Sequence, residues 1–284
     1  MKLSIFYTNK CSIKCEHCFI GEQKKIYRMS NDMLEYVLSQ NRDLTFGVIS
    51  FTGGEPLMYW EDIRKSIQNN KLENVKITIS TNAYWAGSKE SSDKMCMDLL
   101  DNGISQVEVS CDEYHCKYIP MKNTINLINS AKEAGLNVKV IMSVSNDLAY
   151  LSIYSKLIRY VEAKDIVIQH VALFGNAAKN AIDSKVEFEK FVGVRCDQLL
   201  NPCVMYNGDI FACCGPGIIM GKSSNLYLGN IRTESIENIM NKMYGSAFIQ
   251  QIATEGPASL ANKGNKIDSS SLCEFCLQCD KKMA

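Results

Sequence analysis

The chain has 284 residues, and its 46% hydrophobic and 22% charged residues are ordinary for a globular protein with one large domain and, at most, one small one. Its 31 Lys and Arg residues balance its 31 Asp and Glu residues, so no positive excess indicates a nucleic-acid partner. No apolar run approaches the roughly 20 residues of a membrane span, and the first strand-like segment begins too early for a signal peptide, so we expect a cytoplasmic protein without a membrane partner. Thirteen cysteines in a reducing compartment indicate metal ligation or catalysis rather than disulfides.

Short apolar or β-branched segments alternate with helix-period segments through the first 171 residues. The predicted strands are Lys2–Tyr7, Gly47–Phe51, Val75–Ile79, Gln106–Ser110, Val138–Val144 and Asp165–Val171, and the predicted helices are Asn31–Gln40, Glu61–Asn69, Ser91–Asn102, Met121–Ala134 and Leu151–Val161. Such alternation predicts right-handed βαβ units around a parallel sheet. Six units predict an α/β fold, a partial (β/α)6 barrel, although a flat doubly wound sheet has the same periodicity.

The alternation stops near Leu173, so we predict a core domain of residues 1–175 and a small C-terminal α+β domain of residues 176–284. For the second domain we predict a helix at Glu187–Gln198, a hairpin at Val204–Ala212 turning at Asn207-Gly208, a long helix at Thr233–Gln251 and a flexible loop at Glu255–Ser271. The segment that follows, Leu272–Asp280, holds three cysteines in nine residues.

Three closely spaced cysteines follow the first strand. Cys11, Cys15 and Cys18 have the spacing C-x3-C-x2-C. Three thiolates can hold three corners of a four-iron cluster, which leaves one iron open to a ligand that is not protein. The alternative is a zinc knuckle completed from elsewhere in the chain, but zinc sites usually pair their cysteines as C-x2-C. The spacing therefore favours the open cluster.

The second strand is followed by the turn Gly53-Gly54-Glu55-Pro56, at the sheet edge where sites form in parallel α/β folds. Paired glycines allow a backbone to approach a ligand closely, and their carbonyls and the Glu55 carboxylate can accept hydrogen bonds from an ammonium group. A tight turn before a helix is the structural alternative. Polar residues also follow or end the next strands, and each is equally typical of a cap: Ser80, Thr81, Asn82, Ser110, Asp112 and Ser143.

Together, the cysteine loop and the glycine-glutamate turn resemble the radical S-adenosylmethionine superfamily. The resemblance covers residues 1 to about 171 and implies a partial barrel, a 4Fe–4S cluster held by Cys11, Cys15 and Cys18, and S-adenosylmethionine on the fourth iron. It implies that His17, at a position that is usually aromatic, lies near the adenine. It further implies that Gly53, Gly54 and Glu55 receive the methionyl amino group, and that Ser110, Asp112 and Ser143 contact ribose or substrate.

The activity that this resemblance implies is radical generation. One electron, from a reductant such as flavodoxin or ferredoxin, enters the cluster and splits S-adenosylmethionine into methionine and a 5′-deoxyadenosyl radical. The radical then removes a hydrogen atom from an unactivated carbon of the substrate. The cofactor supplies the chemistry, and the protein positions the substrate and excludes water.

Late cysteines resemble an auxiliary-cluster domain. The spacing of Cys196, Gly208 and Cys213 resembles the first half of the domain called SPASM, and the ending Cys273-x2-Cys276-x2-Cys279 fits its shorter twitch variant better. The resemblance implies one auxiliary 4Fe–4S cluster, and a separate zinc site is the alternative. The candidate ligands are more than one cluster needs: Cys196, Cys203, Cys213, Cys273, Cys276 and Cys279.

Cys213 and Cys214 are adjacent, so in an extended segment they point in opposite directions. One of the pair can ligate iron while the other is a catalytic thiol that faces the cavity. We expect Cys213 to be the ligand, because it satisfies the Gly-x4-Cys spacing, and Cys214 to be the free thiol. In radical peptide epimerases, such a thiol gives a hydrogen atom to a carbon radical from the face opposite the deoxyadenosyl group.

The first hypothesis for the function is therefore radical modification of a ribosomally made peptide, most simply epimerisation of an α-carbon from L to D. Thioether or carbon–carbon cross-linking of peptide side chains is a close variant. The second hypothesis is dehydrogenation of a small molecule such as an aminocyclitol. The third is a non-catalytic electron carrier, which the Gly53–Pro56 turn disfavours because a carrier needs no site for an ammonium group.

Overall fold

The computed structural model describes residues 1–44, 46–72, 74–145, 148–183, 191–215, 217–260 and 269–283. Its strands are β1 Lys2–Thr8, β2 Val48–Gly53, β3 Lys76–Thr81, β4 Ile104–Ser110, β5 Asn137–Val144, β6 Ile166–His170, β7 Cys203–Met205, β8 Asp209–Phe211 and β9 Tyr227–Asn230. The six predicted core strands are all present, and their ends differ from the prediction by at most two residues.

The strands form one open sheet in the order β6-β5-β4-β3-β2-β1-β7-β8-β9. Neighbouring strands from β1 to β6 are parallel, and at least one helix lies between each pair in the chain. Because sequential strands are neighbours in space and the sheet does not close, the architecture is the predicted partial (β/α)6 barrel.

The helices of the barrel cover one face of the sheet. The α-helices of the chain are α1 Asn31–Ser39, α2 Asn41–Leu44, α3 Trp60–Asn70, α4 Lys89–Asp101, α5 Glu113–Cys116, α6 Met121–Ala134, α7 Tyr150–Leu157, α8 Gly175–Lys179, α9 Gly217–Met220, α10 Ile236–Gly245, α11 Ala247–Glu255 and α12 Leu272–Met283. Leu34 of α1, Leu99 of α4 and Leu127 of α6 share a single buried core with Ile5 of β1 and Val109 of β4. A doubly wound sheet would have helices on both faces, so this core excludes that alternative.

The opposite, inner face of the sheet carries a row of polar side chains from β1 to β4. Side chains alternate along β1, so Leu3 and Ile5 enter the helix-side core while Ser4 lies on the inner face. Strand register places Ser4, Ser50, Thr78 and Gln106 in one row across four strands. Thr78 Oγ1 donates to Ser50 Oγ at 2.9 Å. The concave side of the barrel is therefore lined by groups that can also bind a polar ligand.

The C-terminal part continues the same sheet. Strand β7 pairs in parallel with β1, with Cys203 opposite Ser4, and β8 and β9 follow as antiparallel strands. The predicted hairpin is confirmed, with Gly208 at its turn in a left-handed conformation, φ 90°. The β7–β1 pairing joins the segment that we assigned to a second domain directly to the barrel.

The helix predictions for the C-terminal part are only partly confirmed. The single helix predicted at 233–251 is wrong, because Ser246 adopts an extended conformation between α10 and α11 and its side chain accepts from the Ile249 N–H. The helix predicted at 187–198 begins outside the described residues, and residues 191–198 form turns. Residues 261–268 of the predicted loop at 255–271 also lie outside the described residues, and Pro257–Leu260 forms a short 3-10 helix. In the described part of the chain, no helix is long and apolar enough to cross a bilayer.

Candidate active site at the cysteine loop

The cysteine loop leaves β1 at its carboxyl end and is held from both sides. Asn9 fixes its start: the Asn9 Nδ2 donates to the Lys25 carbonyl at 2.9 Å, and its Oδ1 accepts from the Tyr27 N–H at 2.7 Å. On the other side, the Gly54 N–H donates to the Thr8 carbonyl at 2.7 Å. The backbone of the loop is thus fixed by hydrogen bonds before its first cysteine.

The two glycines of the turn after β2 are required by close packing on this loop. A Cβ at Gly53 would lie 2.4 Å from the Thr8 carbonyl oxygen, and a Cβ at Gly54 would lie 2.1 Å from the Lys10 carbonyl oxygen. Gly53 also has φ +133°, which disfavours any other residue. The glycine-glutamate turn and the cysteine loop therefore form one unit, as the motif positions predicted.

Glu55 is completely buried at the centre of this unit. Its carboxylate accepts from the Asn82 N–H at 2.8 Å and from the Leu57 N–H at 3.3 Å. Burial raises the pKa of Glu55 to about 7, although these hydrogen bonds act in the opposite direction. An ammonium group beside the carboxylate would favour its charged form, which agrees with the predicted role of Glu55 in receiving the methionyl amino group.

The sulfurs of the loop accept hydrogen bonds from nearby N–H groups. Asn82 Nδ2 donates to Cys11 Sγ at 3.6 Å, and backbone N–H groups of residues 20 and 21 donate to Cys18. Desolvation raises the pKa of Cys11 to about 11 and raises the pKa of Cys18, while these donors oppose the shift for Cys18. Desolvated thiols are ionised by binding iron, and N–H donors stabilise the ligating thiolates, so the loop fits a cluster.

A segment after β6, at the far end of the barrel sheet, also binds the cysteine loop, and the sequence did not predict this contact. Asn176 Nδ2 donates to the Cys15 carbonyl at 3.0 Å, and the Asn176 N–H donates to the Cys18 carbonyl at 2.9 Å. Gly175 has φ +55°, and a Cβ there would lie 2.3 Å from the Phe19 carbonyl oxygen. No motif marks this segment in the sequence, whose only signal is a Gly-Asn pair shortly after β6.

Asp112 follows β4 and is completely buried. Its Oδ1 accepts from the Tyr114 and His115 N–H groups, both at 3.0 Å, and lies 2.9 Å from His115 Nδ1, while its Oδ2 accepts from the Ser143 N–H at 3.1 Å. Burial alone would raise the pKa of Asp112, but the hydrogen bond and charge of His115 hold it below its ordinary value. Asp112 is thus the cap of α5, and its contact with ribose or substrate stays a prediction.

Ser143 and Ser110 lie on the inner face beside this cap. The Ser143 Oγ accepts from Gln169 Nε2 at 3.2 Å. Ser110 ends β4 opposite Ile141 of β5 and is partly exposed. Both hydroxyl groups are therefore on the concave side, where a ligand of the cysteine loop would lie, and their ligand contacts stay predictions.

Two histidines join α5 to the cysteine loop. The Cys15, His17 and His115 ligand atoms lie within 4.8 Å of one another. Burial lowers the pKa of His17 to about 4, and its Nδ1 is buried without a hydrogen-bond partner. For His115, burial lowers the pKa, but hydrogen bonds to Asp112 and Cys15 outweigh it and raise the pKa to about 10. A protonated His115 is thus a donor to the sulfur of Cys15, a contact that the sequence did not predict.

The late cysteines divide into a group of four and three others. The charges of Cys196, Cys213 and Cys273 help to raise the pKa of Cys276, and the charge of Cys196 helps to raise the pKa of Cys273. These four thiols therefore lie near one another. A Cβ on Gly215 would lie 3.4 Å from Cys213 Sγ and 3.8 Å from Cys273 Sγ. Four thiols are the ligand set of one 4Fe–4S cluster.

The remaining predicted ligands, Cys203 and Cys279, lie elsewhere. Cys203 Sγ is 3.4 Å from Cys214 Sγ. Cys279 is buried in an apolar cluster with Phe191 and Phe275. Cys214 also contacts the Ser4 side chain, so it lies on the inner face, whereas Cys213 joins the group of four. The two adjacent thiols therefore point in different directions, as their spacing predicted.

Comparison with known proteins identifies the family. The profile of the "Radical SAM superfamily" matches residues 5–147, about half of the chain. The chain belongs to the radical SAM superfamily. The SPASM "Iron-sulfur cluster-binding domain" matches residues 196–280 of this radical SAM protein. The radical SAM domain binds S-adenosylmethionine and a 4Fe–4S cluster, and the SPASM domain binds additional iron–sulfur clusters. The presence of one auxiliary cluster rather than more stays a prediction.

The radical SAM protein has relatives along most of its length. The "Putative peptide biosynthesis protein YydG" of Bacillus subtilis is 25% identical over 296 residues, which cover 96% of this chain and 90% of that protein. The "GTP 3',8-cyclase" of Helicobacter pylori is 27% identical over 208 residues, 66% of this chain and 60% of that protein.

Solved structures show the same fold. "Native anSMEcpe with bound AdoMet and Cp18Cys peptide" superposes with a TM-score of 0.59 at 15% identity, covering 99% of this chain and 95% of that one. Streptococcus suis SuiB bound to precursor peptide SuiA superposes with a TM-score of 0.60 at 15% identity, covering 89% of this chain and 66% of that one.

Proposed function

We propose that this radical SAM enzyme epimerises an α-carbon of a ribosomally made peptide and that Cys214 is the hydrogen donor. The observation that supports this proposal is the position of the Cys214 thiol along β1. The thiol contacts the Ser4 side chain on the inner face. The cysteine loop follows Thr8, four residues further along the same strand. At about 3.3 Å per residue, the thiol and the loop are separated by about 13 Å along β1.

Epimerisation needs hydrogen chemistry on two opposite faces of one carbon. When bound at the cysteine loop, the cofactors of the family supply a 5′-deoxyadenosyl radical that removes the α-hydrogen. A donor must then return a hydrogen atom from the other side of the planar carbon radical. Cys214 lies at the opposite end of the inner face from the loop, so a peptide segment between them presents one face to each.

A peptide substrate is supported by the character of the inner face and by the relatives. Hydroxyl and amide groups line the row of Ser50, Thr78 and Gln106, and they offer donors and acceptors to a peptide backbone. The Bacillus subtilis relative that covers 96% of this chain is named as a peptide biosynthesis protein, and two solved structures of the same fold hold a bound peptide.

The chain's own residues have separate tasks in this proposal. Cys11, Cys15 and Cys18 hold the cluster, and Gly53, Gly54 and Glu55 receive the amino group of S-adenosylmethionine. Cys196, Cys213, Cys273 and Cys276 hold an auxiliary cluster. A small one-electron carrier such as flavodoxin or ferredoxin supplies the electron.

The test uses the reconstituted enzyme with synthetic peptides that represent candidate ribosomal precursors, in deuterated water. An epimerised product has a D-residue and one deuteron at its α-carbon. The Cys214→Ala variant should still release 5′-deoxyadenosine but should fail to form the D-residue, because the donor is lost.

The matched control is Cys96→Ala, since Cys96 is a buried thiol in the helix-side core, away from the inner face. This variant should form the D-residue as the unmodified enzyme does. Normal epimerisation by Cys214→Ala would refute the donor. A product that has lost two hydrogen atoms and gained no deuteron would refute epimerisation and indicate cross-linking or dehydrogenation.

A further inference from the structure

A second thiol lies beside Cys214 on the inner face. The Sγ atoms of Cys203 and Cys214 are 3.4 Å apart, and Cys203 is completely buried. Cys203 begins β7 and pairs with Phe211, three residues before Cys214, so both thiols belong to one hairpin and its extension. The pairing of β7 with β8 therefore brings the two thiols side by side.

The surroundings of this pair are apolar. Cys203, Phe6 and Phe211 form one buried cluster, and Cys214 packs against it. Such a site limits the access of water to Cys203, whereas Cys214 is partly exposed and is the thiol that a dissolved reagent can reach.

Cys203 is not among the thiols whose charges act on Cys276, which are Cys213, Cys273 and Cys196. The charge of Cys213 does act on Cys203, but the sulfur that Cys203 contacts is that of Cys214, at 3.4 Å. Four ligands complete a 4Fe–4S cluster, so Cys203 is not needed as a fifth. The short distance between Cys203 Sγ and Cys214 Sγ instead suits sulfur–sulfur chemistry, because closing a disulfide requires the atoms to move from 3.4 Å to about 2.05 Å.

We propose that Cys203 is the resolving thiol of Cys214. It captures the sulfur-centred radical that Cys214 becomes after giving up its hydrogen atom, and the two sulfurs close to a disulfide in each turnover. This inference rests on the proposed function. It assigns to Cys203 a task different from the ligand role that the sequence predicted.

The step balances in atoms and electrons. The Cys214 S–H bond breaks, and its hydrogen atom forms the new Cα–H bond of the product. The Cys203 thiol releases its proton to water at the partly exposed Cys214. The Cys203–Cys214 bond then forms, and the one electron released would be taken up by an auxiliary cluster held by Cys196, Cys213, Cys273 and Cys276. An external dithiol returns two electrons and two protons, which restores both thiols.

The first experiment tests the pair without a substrate. Diamide, a thiol oxidant, is added to the reconstituted holoenzyme, and the disulfides are mapped by mass spectrometry after alkylation of free thiols. We expect a Cys203–Cys214 disulfide with no loss of iron. The Cys203→Ala variant should also keep its full iron content. Loss of about four iron atoms per chain from this variant would overturn the inference, because Cys203 would then be a cluster ligand.

The second experiment is a single turnover with the precursor peptide of the deuterium assay, without added thiol. We expect one Cys203–Cys214 disulfide per D-residue formed. Cys111 and Cys116, whose Sγ atoms are 3.9 Å apart outside this site, serve as the internal control and should remain thiols. A D-residue formed with both Cys203 and Cys214 still reduced would overturn the resolving role and leave the proposed function intact. Absence of any D-residue would instead refute the proposed function.

Discussion

Replacing Gly54 by alanine tests the unit formed by the glycine-glutamate turn and the cysteine loop. The new Cβ would lie 2.1 Å from the Lys10 carbonyl oxygen, whereas ordinary contacts begin near 3.4 Å, so Lys10 must withdraw by about 1.3 Å. Lys10 precedes Cys11, the proposed first ligand of the cluster, and the Lys10 carbonyl accepts from the Glu55 N–H at 2.7 Å. We expect Gly54→Ala to be less stable by about 1–3 kcal/mol and to misplace the first ligand of the cluster.

The assay is anaerobic reconstitution followed by iron analysis, electron paramagnetic resonance of the reduced cluster and release of 5′-deoxyadenosine. Gly54→Ala should lose about four iron atoms per chain or lose the change in its spectrum on adding S-adenosylmethionine. Gly87→Ala is the matched control, because a Cβ there meets nothing within 4 Å. If Gly54→Ala bound iron and S-adenosylmethionine as Gly87→Ala does, the close packing would have no functional role.

Two other substitutions test the buried carboxylate and the auxiliary ligands. Burial raises the pKa of Glu55 to about 7 from about 4.3 in an unfolded chain, so its stabilising contribution is present below about pH 4.3 and is lost as the pH rises through 7. Between about pH 5 and pH 8, the melting temperature of cofactor-free Glu55→Gln should therefore fall less than that of the unmodified protein. An equal fall in both proteins would contradict the raised pKa of Glu55. Cys276→Ala should lose the iron of the auxiliary cluster, whereas Cys279→Ala should keep it and lose only about 1 kcal/mol of stability through a small cavity beside Phe275. Loss of iron from Cys279→Ala would show that the group of four is incomplete.

The regular elements of the barrel were predictable because each depends on local periodicity. Leu3, Ile5 and Tyr7 recur at every second position of β1, and this period of two sets which side chains enter the helix-side core. The split between α10 and α11 was missed because Ser246, a good N-cap, stands within a pattern that otherwise keeps helical spacing. One possible N-cap residue is weak evidence for a helix boundary when the helical spacing of hydrophobic residues continues on both sides of it.

The sequence predicted the parts of the site that lie within one short motif. It did not predict contacts between segments that are far apart in the chain. The spacing of Cys11, Cys15 and Cys18 indicated the cluster loop, because cluster ligands on one loop must have defined separations. The contacts of Asn176 with that loop come from a segment more than 150 positions away, and no sequence period records such a contact. The proximity of Cys203 to Cys214 has the same origin, since it depends on the register of β7 and β8.

The connection between α5 and the cysteine loop shows why structural and functional roles overlap at this site. Asp112 is held by backbone N–H groups of its own cap and of β5, so its carboxylate position is fixed by the barrel itself. The 2.9 Å contact of its Oδ1 with His115 Nδ1 then orients the imidazole toward Cys15. N–H donors to a ligating sulfur tune the reduction potential of an iron–sulfur cluster. The carboxylate that caps a single helical turn therefore also determines the electrostatic surroundings of the cluster ligand.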